Sequence, residues 1–296
     1  MIKLLLTLLT FVTFSACAEE LTLTFIRSPL GIDWKTPYTM AISTVANSTV
    51  PMKQRAFSIS HLFVNLKCES QNYERLTGMT STTNEDRDLL FKEGFGYGII
   101  FHTYPGKLER DVDVARDLED YKGSRRVARM RLKISESTCA RLKNYLNEYE
   151  ARGFGALYSG LQARPRKGEG AGCSAFGMSF LELAGLMRPD WKKEWMNHIH
   201  VPKRFVGGPL TGKFVRIREI LASPFALWNP KREHIYLEAW NPEKMWKWTR
   251  QVWADVRFGR RNKGEIDWEI SNVGKTREIY ADVSDVPTPT DPIWQY

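Results

Sequence analysis

The chain is poor in cysteine, and long apolar runs are missing from nearly all of it. Four cysteines occur in 296 residues, at positions 17, 68, 139 and 173. No two form the C-x-x-C pair of a zinc site or a thioredoxin-like centre. After residue 14 no stretch approaches the ~20 apolar residues that a membrane span needs. Internal repeats and low-complexity segments are also lacking, which argues against a solenoid or a linker. Basic residues outnumber acidic ones by 43 to 34, for a formal charge of +9. They lie scattered in short groups such as KGSRR at 122–126 and RFGRRNK at 257–263, without the single stripe of a nucleic-acid-binding protein. Attraction to an anionic envelope polymer or membrane surface fits such an excess. Tryptophan is almost missing from the first two thirds: of ten, only Trp34 precedes residue 190.

What is present is an ordinary globular composition, 43% hydrophobic and 26% charged, long enough for one large domain or two modest ones. The first 18 residues, MIKLLLTLLTFVTFSACA, read as a secretory signal peptide: one lysine, an apolar run over 4–14, then small residues. Ala16-Cys17-Ala18 satisfies a small-x-small cleavage rule and gives a mature chain from Glu19. FSAC also resembles a bacterial lipobox, in which Cys17 becomes a lipidated first residue, although Phe14 replaces the usual leucine. The expected localisation is therefore exported, as a periplasmic or secreted protein or an outer-membrane lipoprotein. In an oxidising compartment Cys68 and Cys139 could form a disulfide and leave Cys173 free.

Alternating side chains predict strands at 20–28, 56–69 and 128–134, with 73–81 as a hairpin partner of the second and 96–106 as a further strand. Residues 109–123 are charge-rich and read as a connection or short helix. Ser135 reads as the N-cap of a helix over about 136–152, with Leu142, Tyr145, Leu146 and Tyr149 on one face. A second helix is expected from Cys173, closed by Gly185. WNPEKMWKWTRQVW at 240–253 has Asn241 as cap and Pro242 at the first helical position, and its tryptophans at helical spacing read as core. The proline-rich DVPTPTDPIWQY tail is expected to run extended over the surface.

Gly168, Gly170 and Gly172 precede Cys173 in GEGAGC. Cysteine at a helix N-terminus has its thiolate favoured by unpaired N–H groups and the helix dipole. The glycines allow close approach of a substrate and offer N–H groups to an oxyanion. Such a thiol still needs a base, and the candidates are His61 opening HLFVNLKC, His102 in IIFHTYPG, His198 and His200 in NHIHVP, and His234 opening HIYLEAW.

GCSAFGMSFLELAGL at 172–186 resembles the nucleophile helix of NlpC-type papain-like cysteine peptidases, in which a Cys-Ser pair starts an apolar helix. A histidine at the head of a strand is the second element of the resemblance. In the direct order His234 follows Cys173 by 61 residues. In the circularly permuted order of the lecithin retinol acyltransferase-like relatives, His61 precedes it by 112. The permuted order is preferred, because SHLFVNLKC is followed by a partner strand, a third strand and a helix before the loop to Cys173.

This resemblance covers about 56–186. It implies an α+β papain-like fold, an antiparallel sheet with the nucleophile helix packed on it. The catalytic-type domain is then 19–186, and 187–296 is a Trp-rich extension packed on the same domain. Gly172 departs from the aspartate common before the cysteine in NlpC members. The implied activity is that of an exported thiol hydrolase or acyltransferase acting on amide or ester bonds, such as those of peptidoglycan peptides. Cys173 is the nucleophile and His61 the base. His102 is the candidate orienting residue, with Asn65 and Thr77 as weaker ones. No cofactor or metal is implied, and the expected partner is a cell-envelope polymer or lipid. The alternative is a non-catalytic envelope-binding protein on the same scaffold.

Overall fold

The structure is a computed structural model describing residues 19–51, 59–161, 163–260 and 266–296. The segment read as an export signal, Cys17 included, lies outside the described residues, as do the first residues of the strand expected at 56–69. In chain order the strands are β1 (Glu19–Ile26), β2 (His61–Cys68), β3 (Tyr73–Thr77), β4 (Met79–Ser81), β5 (Tyr104–Leu108) and β6 (Val127–Lys133). They continue with β7 (Leu157–Tyr158), β8 (Met196–Pro202), β9 (His234–Trp240), β10 (Glu269–Val273) and β11 (Thr276–Asp282). The helices are α1 (Pro37–Thr49), α2 (Glu85–Phe91), α3 (Asp111–Tyr121), α4 (Glu136–Ala151), α5 (Cys173–Leu183), α6 (Pro189–Trp195), α7 (Ile217–Leu221) and α8 (Pro242–Arg257).

The fold is α+β. Its main sheet runs β10-β11-β6-β1-β2-β3. The pairing is antiparallel except between β11 and β6, which are parallel, so the sheet is mixed and not purely antiparallel as expected. A return strand from the C-terminal region produces this difference: β11 arrives after a long connection that includes α8 and docks beside β6. Residues beyond 187 thus contribute two strands to the same sheet. The alternation in β1 sends Leu21, Leu23 and Phe25 into a core shared with Leu62, Val64 and Leu66 of β2 and Met130 and Leu132 of β6. Helices α4, α5 and α8 add to that core through Leu142, Tyr145, Phe176, Phe180, Met245 and Val252.

The second half of the expected hairpin departs from prediction. β3 stops at Thr77, and beyond Gly78 the chain changes sheet: β4 pairs with β5, and β5 with β7. The strand expected at 96–106 is a 3₁₀ turn over Tyr97–Phe101 followed by β5, and NHIHVP lies in strand β8. Other local readings hold. Ser135 caps α4, its side chain accepting from the Thr138 N–H, and Asn241 caps α8 ahead of Pro242. Of the tryptophans in 240–253, Trp253 joins Trp191, Trp195 and Trp268 in the buried core, whereas Trp240, Trp246 and Trp248 are only partly buried and pack against it.

Cys68 and Cys139 form a disulfide that ties the end of β2 to α4. The C-terminal tail straps α4 and the loop before α5. Trp294 packs among Tyr145, Tyr149 and Phe154, and buried Arg166 bonds Asp291 at 2.6 Å and the Ile293 carbonyl at 3.0 Å.

Candidate active site

Cys173 begins α5 behind Gly172, an N-cap residue with no side-chain hydrogen bond of its own. The helix lies close on β2 because Gly177 faces Leu62: a methyl at Gly177 would run into the Leu62 side chain. Ser174 fixes the same end from another side, its hydroxyl donating to the Trp240 carbonyl at 3.0 Å. In the preceding loop, Gly170 has φ +72° and leaves no room for a Cβ against the Leu157 carbonyl. That is a conformation and a clearance that glycine alone accepts.

The structure brings Cys173 and His61 together. The Cys173 sulfur lies against the His61 ring and the Leu62 backbone N–H, close enough for both to favour its charged form. His61 heads β2 immediately after Ser60, whose φ of +72° places a non-glycine residue in the left-handed region. Nε2 of His61 lies 2.9 Å from Oε2 of Glu109, both side chains being buried. With that nitrogen engaged by the carboxylate, Nδ1 is the ring atom left for the sulfur.

Glu109 follows β5 directly. Its backbone N–H donates to the Gly78 carbonyl at 2.9 Å, and its carbonyl accepts from buried Thr77 Oγ1 at 2.8 Å. Gly78 leaves the space in which the pair meets: a Cβ there would lie 2.6 Å from Glu109 Oε2 and 3.3 Å from His61 Nε2. The break between β3 and β4 thus delivers the carboxylate to the histidine.

His102 does not take the orienting place expected of it. Its ring stands edge-on to Phe95 and Tyr104, with Nε2 3.8 Å from Glu85 in a partly exposed pair. It sits at the end of the 3₁₀ turn, and that turn, absent from the sequence reading, aims it at the α2 side. Asn65 donates to exposed Glu74. Thr77 reaches the site, but through the Glu109 backbone. The group that sequence reasoning missed is Glu109, hidden in a charge-rich run; its one local signal is its position directly after the alternating YPGKL. His234 belongs to the far end of β9. Trp240, at the near end, is bonded to Ser174, and six residues of strand separate the two by roughly 20 Å. Tyr158 was also missed. The residue is half-buried against the core, and its phenol lies close to the Cys173 sulfur and the Cys173 N–H.

Charge follows from these contacts. Burial alone disfavours an imidazolium at His61, but the Cys173 sulfur and the Glu109 carboxylate outweigh it and push the pKa up to about 10. Burial also opposes the Cys173 thiolate. The charge and hydrogen bond of His61, with the Leu62 N–H, overcome it and lower the pKa below the ordinary thiol value. Burial and the adjacent sulfur keep the Tyr158 phenol protonated, far above its usual range. The arrangement therefore favours a thiolate–imidazolium pair held by a buried carboxylate. A cleft of about 300 Å³ lined by Leu161, Arg164, Met196, Tyr236, Glu238 and Trp240 opens on the Trp240 side of the α5 N-terminus.

Comparison of the chain with protein-family models, with curated proteins and with solved structures yields no match.

Proposed function

We propose that this protein is an exported thiol hydrolase or acyltransferase of papain-like type, acting on amide or ester bonds. The observation that carries the reading is the buried chain of contacts Cys173–His61–Glu109, in which the carboxylate holds the imidazole at 2.9 Å and the imidazole acts on the charge of the sulfur. A packing cysteine needs no such partners.

The roles follow from the geometry. Cys173 Sγ attacks the carbonyl carbon, and the carbonyl electrons move onto oxygen. The Tyr158 hydroxyl and the open N-terminus of α5 offer donors to that oxyanion. The His61 imidazolium gives its proton to the departing amine or alkoxide, leaving a thioester on Cys173. His61 then takes a proton from water, or from an acceptor hydroxyl or amine, as that group attacks the thioester, and Cys173 leaves as thiolate. Glu109 orients the ring and balances its charge throughout.

Export is supported by the apolar N-terminal segment and by the Cys68–Cys139 disulfide, which suits an oxidising compartment. Peptidoglycan peptides are the first substrates to test. The carboxylate of Glu109 on His61 favours this reading over a non-catalytic binding protein on the same scaffold. The deciding experiment is digestion of purified peptidoglycan fragments and of model lipid amides and esters by the parent chain and by Cys173→Ala. New amine or alcohol ends should appear only with the parent. Equal release by the variant would exclude the proposed role of the thiol.

A further inference from the structure

More than half of the chain's excess positive charge falls in one segment. Residues 202–233 hold seven basic side chains against two acidic ones, a net +5 of the chain's +9. Four of the seven, Lys203, Arg204, Lys213 and Arg232, line one hollow of about 570 Å³, whose wall carries a single carboxylate among the described residues, Glu233. None of the four cations is in an ion pair among the described residues. The scatter apparent along the sequence is gathered by the fold, because the 207–216 loop and the 222–232 loop meet at the Pro202 end of the β8–β9 ladder.

The same hollow bears apolar side chains held outward. Phe225 is 94% exposed and Leu227 62% exposed. They alternate with buried Ala226 and half-buried Trp228, so the loop is anchored at every second residue. The Ala226 N–H donates to the Ser223 carbonyl at 3.0 Å, and Trp228 Nε1 donates to the Trp34 carbonyl at 2.7 Å while its ring packs on Tyr97. Phe225 and Leu227 therefore project from a braced turn. A soluble polyanion would satisfy the cations and leave these two side chains in water. A bilayer with anionic headgroups satisfies both, since cations near its surface are attracted to the phosphates while aromatic and leucine side chains enter the interface.

We propose that the loop 222–232, with Lys203, Arg204 and Lys213, docks the protein on the surface of an anionic phospholipid bilayer. Docking here stands apart from the thiol chemistry, which lies at the other end of the β8–β9 ladder, about 20 Å of strand away. Neither reading depends on the other.

The test is flotation of the full chain with vesicles of phosphatidylcholine alone and of phosphatidylcholine with phosphatidylglycerol. Partition should favour the anionic vesicles by about tenfold or more and weaken with added salt. Phe225→Ser with Leu227→Ser, and separately Lys203→Glu with Arg232→Glu, should each reduce that partition about tenfold. Both variants change exposed or solvent-facing side chains, so their melting temperatures should match the parent's. The parent chain is the reference in every comparison, so any contribution of residues 1–18 is common to all. Equal partition onto both vesicle types, or undiminished binding by either double variant, would overturn the proposal. Binding to dextran sulfate without vesicle partition would assign the surface to a soluble polyanion instead, and would overturn it too.

Discussion

Glu109 Oε2 and His61 Nε2 are 2.9 Å apart, with 8% and 5% of their side chains exposed. A buried carboxylate in contact with a buried imidazole fixes both the ring's orientation and its charge. Glu109→Gln keeps the shape and a hydrogen-bonding group while removing the negative charge. We expect kcat to fall by roughly 10³-fold or more, as for loss of an orienting carboxylate in a nucleophile–histidine site. The His61 pKa, followed by NMR of its ring protons, should drop at the same time. A structural role alone would lower stability and leave that pKa in place.

The pH profile follows from the two shifts. Cys173 is depressed from its ordinary value, so the thiolate is present above a pKa lower than that of a free thiol. His61 is raised from 6.5 to about 10, so the imidazolium persists until then. The rate constant kcat/KM should rise to a plateau well before the usual thiol range and fall near pH 10. Stability has a matching alkaline limb. The gain from the raised histidine is complete below its unfolded pKa of 6.5 and is lost as pH rises through about 10. Rate measurements and denaturant titrations over that range check both limbs. Cys173→Ala, which removes the larger of the two charges holding His61 protonated, should shift the histidine downward.

Gly78 leaves the clearance in which the pair forms. Gly78→Ala would press a methyl against Glu109 Oε2, Phe63 and His61. The expected result is a loss of activity of about 10²-fold with a destabilisation of about 1–3 kcal/mol, typical of overpacking. Kinetics and thermal melts measure the two together. An unaltered activity would mean that the carboxylate can retreat without consequence.

Much of this architecture was legible because it is local. The Ser135 cap, the helix after it, the alternation in β1 and the start of α5 at Cys173 are each written within about four residues. The pairing of Cys173 with His61 was legible only through a resemblance in element order. Glu109 was not legible, since an acid in a run of charged residues reads as solvated until β5 pairs with β4 and buries it. His102 attracted the orienting role because a 3₁₀ turn at 97–101 and a strand look alike in so short an apolar run. The switch of sheets at Gly78 and the parallel docking of β11 depend on contacts far apart in sequence, which periodicity does not encode.

The disulfide closes a loop between residues 71 apart in sequence. On the loop-entropy account its loss should cost about 4 kcal/mol. Replacing both Cys68 and Cys139 with alanine should lower the denaturant midpoint strongly while Cys173 remains reactive in the folded fraction. Urea titration with and without reductant gives the measurement.

Labelling of the thiols by a small electrophile tests the central claim most directly. The rate of modification at Cys173 in the parent chain, followed against pH by mass spectrometry, should have its midpoint below the pKa of about 8.5 of a free cysteine. His61→Ala should slow it and move the midpoint upward, while Cys68 and Cys139 stay unmodified. A Cys173 that reacts no faster than an ordinary thiol, or whose reactivity is indifferent to His61, would contradict the thiolate–imidazolium pair and with it the proposed enzyme.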